Sequence, residues 1–449
     1  MQEILFDPLL LPVILLTSLV YLVFLFNLLT KNKSASTTAE KIISSSVIFI
    51  LPGVTVFPFD KIHPSALAGH DKTAISAMAQ LGLYFVLAFM VSSRIPSFIK
   101  SFPNTLKFVL LRNPFLLFLI LLTPLSAAWS HTPFLSLKAS LVLLGLSLVA
   151  TYMGSQYSWD ELWSRLRLSS GMWMVLSTVF AIAVPSIGRH GKGWGGVVGH
   201  PTNLGPIAAM SAVLWGVQLA SQKKPSWQTF GITGLSLLVV VMTDSAGALV
   251  IFALLASTAI AFRVLKKTSL RWKLVMGFLL IVLPIVASAV VALNLEFLLG
   301  LLGKDLTFTG RAEFWPQLIN ELQKRYLLGY GYHSFWQPWL GAANPAAHIV
   351  NANEYRPPHA HNGFLDLALS LGIVGLSFFV ISLVANTILA VKHFATYRNI
   401  ESVLPMIMLA FLIFKNMTET GTWGLRLDAF LYILLSVRLC TDIRRRVYG

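Results

Sequence analysis

Apolar residues in this 449-residue chain gather in long runs instead of alternating with polar ones. The runs fall at about 9–29, 42–58, 74–92, 114–130, 134–153, 171–188, 204–220, 227–243, 246–262, 274–294, 364–391, 402–416 and 425–440. Most approach the roughly 20 residues that a helix needs to cross a hydrocarbon core. The pattern predicts an all-α polytopic integral membrane protein of about 12–13 transmembrane helices. Two places are weaker: the 42–58 run contains Pro52 and Gly53, and the last two runs are short enough for a re-entrant pair. The first run has no basic flank before it and no small-residue cleavage site, so it is expected to be a retained span.

Composition agrees. The chain is 56% hydrophobic and 12% charged, with a mean hydropathy of +0.73. Soluble domains carry about twice that share of charge. The single cysteine, Cys440, excludes an intrachain disulfide and a cysteine zinc site, and is expected to be a packing residue.

The formal charge of +16 does not point to nucleic acid, because of where it sits. Lysines and arginines concentrate in one alternating set of loops: 31–41, 94–112, 165–167, 223–224, 263–273, 392–398 and the 438–446 tail. Such loops face the cytoplasm, and their charge sets topology and meets anionic lipid. The bilayer is therefore the expected partner of this charge, and the C-terminus is expected to be cytoplasmic. By the same topology every histidine except His393 falls on the external side, as does the one long loop, 295–363, expected to contain short amphipathic helices. Loops of that length are usually functional.

Three external clusters carry the candidate chemistry. "GRHGKGWGGVVGHPTNLG", 188–205, mixes glycines with Arg189, His190, Lys192 and His200. Its plain reading is a turn with Asn203 capping the next helix; its chemical reading is an anion site at a helix N-terminus. "LTFTGRAEFWPQLINELQKRYLLGYGYHSFW", 306–336, predicts an amphipathic helix over 313–328. Arg311 would stand at its first turn, where a cation opposes the helix dipole and so wants an anionic partner, either Glu313 or a ligand phosphate. "EYRPPHAHNGFLDLALSLGIVG", 354–375, brings His359 and His361 to the mouth of an apolar helix that Asn362 can cap. A neutral imidazole at that place can accept a hydroxyl proton, or can simply hydrogen-bond. Nothing matches HExxH or another zinc spacing, so neither a metal nor a cofactor is expected.

His361-Asn362, nine residues, Gly372, two residues and Gly375 together resemble the H-[NSQ]-x9-G-x-x-G signature of the bacterial O-antigen ligase and polysaccharide polymerase superfamily. "TGRAEFW" resembles that family's arginine motif, and "GHPTNLG" its H-x-N-x-x-G turn. "TDSAGALV", 243–250, resembles its T-x-S-R-G-A turn, with Ala246 where the arginine would be. The resemblance spans about residues 170–380. It suggests N-terminal helices over 1–169, a ligase-like core over 170–380 and C-terminal helices with a basic tail over 381–449.

The resemblance implies a metal-independent glycosyltransferase of the bacterial inner membrane, acting on its external face. The donor would be a polyprenyl-diphosphate-linked glycan; the acceptor, another glycan or lipid A core. By this likeness His361, Arg311 and, by loop position, Arg189 are the expected catalytic residues. His200, Asn203, Asn362, Arg356, His359 and Trp315 are their expected substrate-binding neighbours. A polytopic secondary transporter is the rival class, but it would place charges near the midplane and show internal repeats. The near-membrane charges available to it are Lys138, Lys415, Arg426 and Asp428, of which Arg426 and Asp428 are expected to pair.

Overall fold

The computed structural model describes residues 33–50, 94–266, 268–293, 311–351, 354–397, 399–419 and 423–442. The expected spans at 9–29 and 74–92 lie outside them. Almost everything described is helical: α1 (Lys33–Ile50), α2 (Ile95–Arg112), α3 (Pro114–Leu125), α4 (Pro133–Gln156), α5 (Trp159–Ala183), α6 (Pro201–Ser221), α7 (Trp227–Met242), α8 (Ala246–Leu265), α9 (Leu270–Leu293), α10 (Arg311–Lys324), α11 (Gly363–Thr396), α12 (Leu404–Thr418) and α13 (Leu427–Thr441). A two-residue antiparallel pair, Arg189–His190 with Gly193–Trp194, sits between α5 and α6.

Six helices among the described residues are long and apolar enough to cross a membrane, or seven if the bent pair α2–α3 is counted as one broken span. The chain is a multi-pass membrane protein. The apolar run at 114–130 is not a straight span of its own: it is one arm of that pair, bent by 104°. The cause is local. Pro114 has no N–H to continue α2 and drives Asn113 out of helical geometry, to φ −149° and ψ 64°. The 171–188 run begins earlier than its hydropathy suggests, because Ser158 and Glu161 form a capping box that starts α5 at Trp159.

Packing sorts the helices into centre and rim. α12 and α13 are buried along nearly their whole length, from Leu404 to Asn416 and from Leu427 to Cys440. Rim helices turn large apolar residues outward, among them Leu125, Ile182, Val241, Ile260 and Val264. That outward apolar face is what lipid requires, so helix association falls to close packing and interhelical hydrogen bonds. One such string links Asn113 to Asn386 (3.0 Å), Asn386 to Ser436 (2.6 Å) and Tyr432 to Ser382 (2.7 Å). Each bond of this kind is worth about 0.6–2 kcal/mol.

Two of the expected charges meet inside the bundle. Lys415 of α12 donates to both carboxylate oxygens of Asp428 in α13, at 2.9 and 2.7 Å. Arg426 is thus not the partner of Asp428, as its position two residues away suggested. It stands exposed at the N-cap of α13.

The feature that frames the functional end is a break in α11. Gly372 has φ +67° and interrupts the helix. The segment 326–331 enters the gap and takes over its hydrogen bonds. Tyr330 N–H donates to Leu369 O and Gly331 N–H to Ser370 O, both at 2.9 Å, while Ile373 N–H donates to Tyr326 O at 2.9 Å. A Cβ at Gly372 would lie 2.0 Å from Leu327 O, so only glycine permits the splice. The first two turns of α11 and the segment after α10 are therefore one unit.

Candidate active site

His361 lies just before α11, whose N-terminus Asn362 caps by accepting from Phe364 N–H (3.0 Å) and Leu365 N–H (3.2 Å). This expectation from sequence holds. His361 itself has φ +50°, a left-handed conformation that is costly for a residue with a Cβ. The flanking backbone enforces it. Ala360 N–H donates to both oxygens of Asp366, at 3.1 and 3.3 Å, and Ala360 O accepts from the Trp315 indole at 2.9 Å. Trp315 thus acts through the backbone that carries the histidines.

The turn folds His361 against two groups. Its N–H donates to His359 Nδ1 at 3.2 Å, and the two rings lie 4.1 Å apart between centroids. Its own Nδ1 lies 3.3 Å from Glu419 Oε2. With Nδ1 as the protonated nitrogen, Nε2 keeps a lone pair for another group. Glu419 follows the last turn of α12, and its N–H donates back to Lys415 O at 2.8 Å. It is 58 positions beyond His361, in the polar turn that follows an apolar run, and no spacing in the sequence marked it.

Arg311 opens α10, where the sequence expected it. Neither Glu313 nor any other carboxylate forms an ion pair with it among the described residues. Instead its Nη2 donates to Thr418 O at 2.8 Å, one residue from Glu419. Its Nε is buried with no partner among the described residues. Burial lowers the Arg311 pKa from its ordinary value, and Glu419 offsets part of that. Burial would raise the Glu419 carboxyl, but the His361 hydrogen bond and the nearby charges of His359 and Arg311 outweigh it and hold it lower. Burial, and then the neighbouring His361, push His359 down to about 4. The arrangement is an anchored cation, an oriented imidazole and a neutral imidazole around one carboxylate.

The remaining expected residues divide. His200 caps α6, its Nδ1 accepting from Thr202 N–H at 3.3 Å, and it lies within the electrostatic reach of Glu419. Its ring packs at a tilt against His190, with centroids 4.6 Å apart. Asn203, expected as the cap, is in the first turn of that helix; Pro201 at the first helical position suits His200 to the cap instead. Arg189 donates from Nε to Ala181 O at 2.8 Å, so its guanidinium closes the end of α5. Arg356 is exposed, and its side chain makes no hydrogen bond or ion pair among the described residues. Arg426, by contrast, acts electrostatically on His359 and belongs to the site's surroundings.

One donor atom from each of His359, His361 and Glu419 lies within 4.8 Å of the others, a set that can hold a metal ion. The pattern of the two histidines alone did not show it, because the third member comes from another helix.

Residues 231–380 match the family model described as O-antigen ligase. That segment holds Arg311, His359, His361, Asn362 and both motif glycines, and ends before Glu419. Over 83 residues the chain is 30% identical to the exopolysaccharide production protein ExoQ of Rhizobium meliloti (strain 1021). The similar stretch covers 18% of this chain and 19% of that protein, so the chain matches about a fifth of its relative's length. The matched segment coincides with the spliced helix, its glycines and its histidine turn, so it is this part of the chain, residues 231–380, that is similar to the O-antigen ligase family.

Proposed function

We propose that this protein is a glycosyltransferase of the inner membrane, moving a glycan from a polyprenyl-diphosphate donor to a hydroxyl acceptor on the external face. The observation that carries this reading is the His361–Glu419 hydrogen bond of 3.3 Å beside the anchored Arg311. A base held by a carboxylate and paired with a cation is what displacement of a diphosphate by a hydroxyl requires.

The acceptor oxygen attacks the anomeric carbon while its proton passes to His361 Nε2. The bond from that carbon to the phosphate oxygen breaks, and the diphosphate leaves with the electron pair. Glu419 accepts from Nδ1–H, orients the ring and stabilises the imidazolium that forms. Arg311 meets the charge that grows on the leaving group, where a guanidinium can pair two phosphate oxygens. His359, Asn362, His200 and Arg356 would line the approach of the two sugars, and Arg426 would add positive field. Nothing in this sequence of events needs a metal ion. Lys415 and Asp428, the charges a transporter would use at depth, neutralise each other, which favours the enzyme reading.

The similarity to a protein named for exopolysaccharide production favours chain polymerisation over transfer to lipid A core. The test is transfer in vitro by purified full-length protein, with EDTA present. The donor is a polyprenyl-diphosphate oligosaccharide, offered with and without a lipid A core acceptor. A ladder of longer lipid-linked glycans is the expected product; a single shift of the core acceptor would make it a ligase. Arg311→Ala should lower the rate by about 10²–10³-fold, as for loss of one transition-state donor. Folded wild-type protein that transfers to neither acceptor would sink the proposal.

A further inference from the structure

The geometry points to a divalent transition-metal site formed by His359, His361 and Glu419, whose occupancy shuts down the reactive imidazole. The metal site rests on geometry alone. Its inhibitory consequence rests on the acceptor-side role of His361 proposed above.

Two histidines and a glutamate form one of the ligand sets of three-coordinate protein zinc sites, which leave a fourth position open. Here the three donor atoms already lie within 4.8 Å of one another. Zinc–ligand bonds of about 2.0–2.2 Å bring tetrahedral donors to roughly 3.4 Å apart, so the widest separation needs to shorten by no more than about 1.4 Å. Glu419 already stands 3.3 Å from His361 Nδ1, so that movement falls to the His359 ring. His361 is held at φ +50° by Ala360, whose N–H is bound by Asp366 and whose carbonyl is bound by Trp315. That strain turns the two rings toward each other, and the backbone bond from His361 N–H occupies His359 Nδ1. His359 Nε2 is left as the coordinating nitrogen. This is the outer-shell support that keeps metal-ligating histidines oriented.

On binding, the ion takes the His361 Nδ1 lone pair, and the ring's one proton, which Nδ1 had shared with Glu419, moves through solvent to Nε2. The carboxylate then no longer steers the imidazole, and the ring cannot take up the proton of an incoming hydroxyl. Imidazole nitrogens favour Zn²⁺ over Mg²⁺ or Ca²⁺, which prefer all-oxygen sites. Arg311 and Arg426 stand nearby and repel a dication, so the affinity is expected in the micromolar range and not below it.

The probe is Zn²⁺ itself, titrated into EDTA-treated, desalted full-length protein against a chromophoric chelator. One ion per chain is expected. His359→Ala and Glu419→Gln should each weaken it by more than the roughly 10–100-fold that loss of an outer-shell partner costs. His348→Ala, at the separate Glu321 cluster, should leave it unchanged. No saturable binding, or binding that persists in both variants, would overturn the site. If either variant fails to fold, X-ray absorption of the zinc-loaded wild type decides: two imidazoles in the shell support the site, and one or none overturns it. In the transfer assay Zn²⁺, but not Mg²⁺, should inhibit over the same concentration range as it binds. Stoichiometric binding without inhibition would uphold the metal site and overturn the blocking of His361.

Discussion

Both ends of α11 carry a histidine, a carboxylate and an arginine, and the two trios are built to opposite ends. At the Thr396 end His393 bonds Asp442 at 2.5 Å and Arg438 bonds the same carboxylate at 2.9 Å. Trp159 and Tyr397 cover the imidazole, with ring centroids 4.9 and 4.6 Å away. The His393 and Asp442 side chains are only 4% and 9% exposed. At the Gly363 end the corresponding pair, His361 and Glu419, is 22% and 14% exposed, and the bond is 3.3 Å. Arg311 does not touch that carboxylate; it is tied to the carbonyl of Thr418. A trio whose members satisfy one another is a clamp. A trio held apart by its backbone, at the cost of a left-handed histidine, keeps bonding capacity for something else.

Breaking each trio in turn gives the largest contrast. His361→Ala should lower glycan transfer by about 10²–10⁴-fold, the range of a general base, with little change in melting temperature. His393→Ala should leave the rate per folded molecule unchanged within assay error. Its cost is about 1–3 kcal/mol of stability, because Asp442 loses a buried partner. Transfer assays and thermal melts on the same purified preparations read both halves. A slow His393→Ala with a normal melt would erase the distinction.

The open end depends on the spliced helix, and glycines test that dependence at the next level down. Gly372→Ala puts a Cβ 2.0 Å from Leu327 O at φ +67°, so the segment 326–331 must leave the break. Strain of this kind costs about 1–3 kcal/mol, and the steric conflict adds to it. Protease sensitivity in that segment should rise and transfer should fall at least tenfold, about 1.4 kcal/mol or more. Gly216 in α6 has open space where its Cβ would be. Gly216→Ala should therefore be neutral or stabilising by up to about 1 kcal/mol, read by the same melt. Equal damage from both would mean the break at Gly372 is incidental.

Much of this was legible in the chain because membranes simplify the code. Apolar runs located α4, α6, α8 and α11, and Asn362 before an apolar helix announced its cap. The 104° bend at Asn113–Pro114 was missed because hydropathy averages over a proline. The arginine motif placed Arg311 at a helix start, where the structure has it, but its partner is a main-chain oxygen, which has no sequence signature. Glu419 was missed for a related reason: its role comes from the packing of α12 against α11, which brings together residues 58 positions apart. Arg189 was carried over by loop position, and position does not fix which way a side chain turns. The Asp428 pairing was assigned by proximity along the chain, whereas helical geometry brought Lys415 to it from the adjacent helix.

The smallest effect concerns what holds the open end in place under acid. Glu321 of α10 accepts from Lys324 at 2.5 Å and from the Tyr330 hydroxyl at 2.6 Å, and His348 lies 3.0 Å away. Tyr330 is also a donor of the splice into α11, so this carboxylate ties α10 to the frame of the site. Burial acts to raise the Glu321 pKa, but the Lys324 and Tyr330 hydrogen bonds prevail and leave it below the ordinary value of 4.5. A carboxyl depressed on folding binds fewer protons folded than unfolded. Its contribution is therefore full above about pH 4.5 and is lost as pH falls through the lowered value. Wild-type protein should lose stability on acidification in that window, while Glu321→Gln should begin less stable and change less there. The difference at neutral pH should be about 1–2 kcal/mol, because Glu321 is buried but its partner Lys324 is largely exposed. Melting temperatures at pH 7 and pH 4 for the two proteins measure it. Parallel curves would show that the frame of the reactive end rests on the helix splice alone.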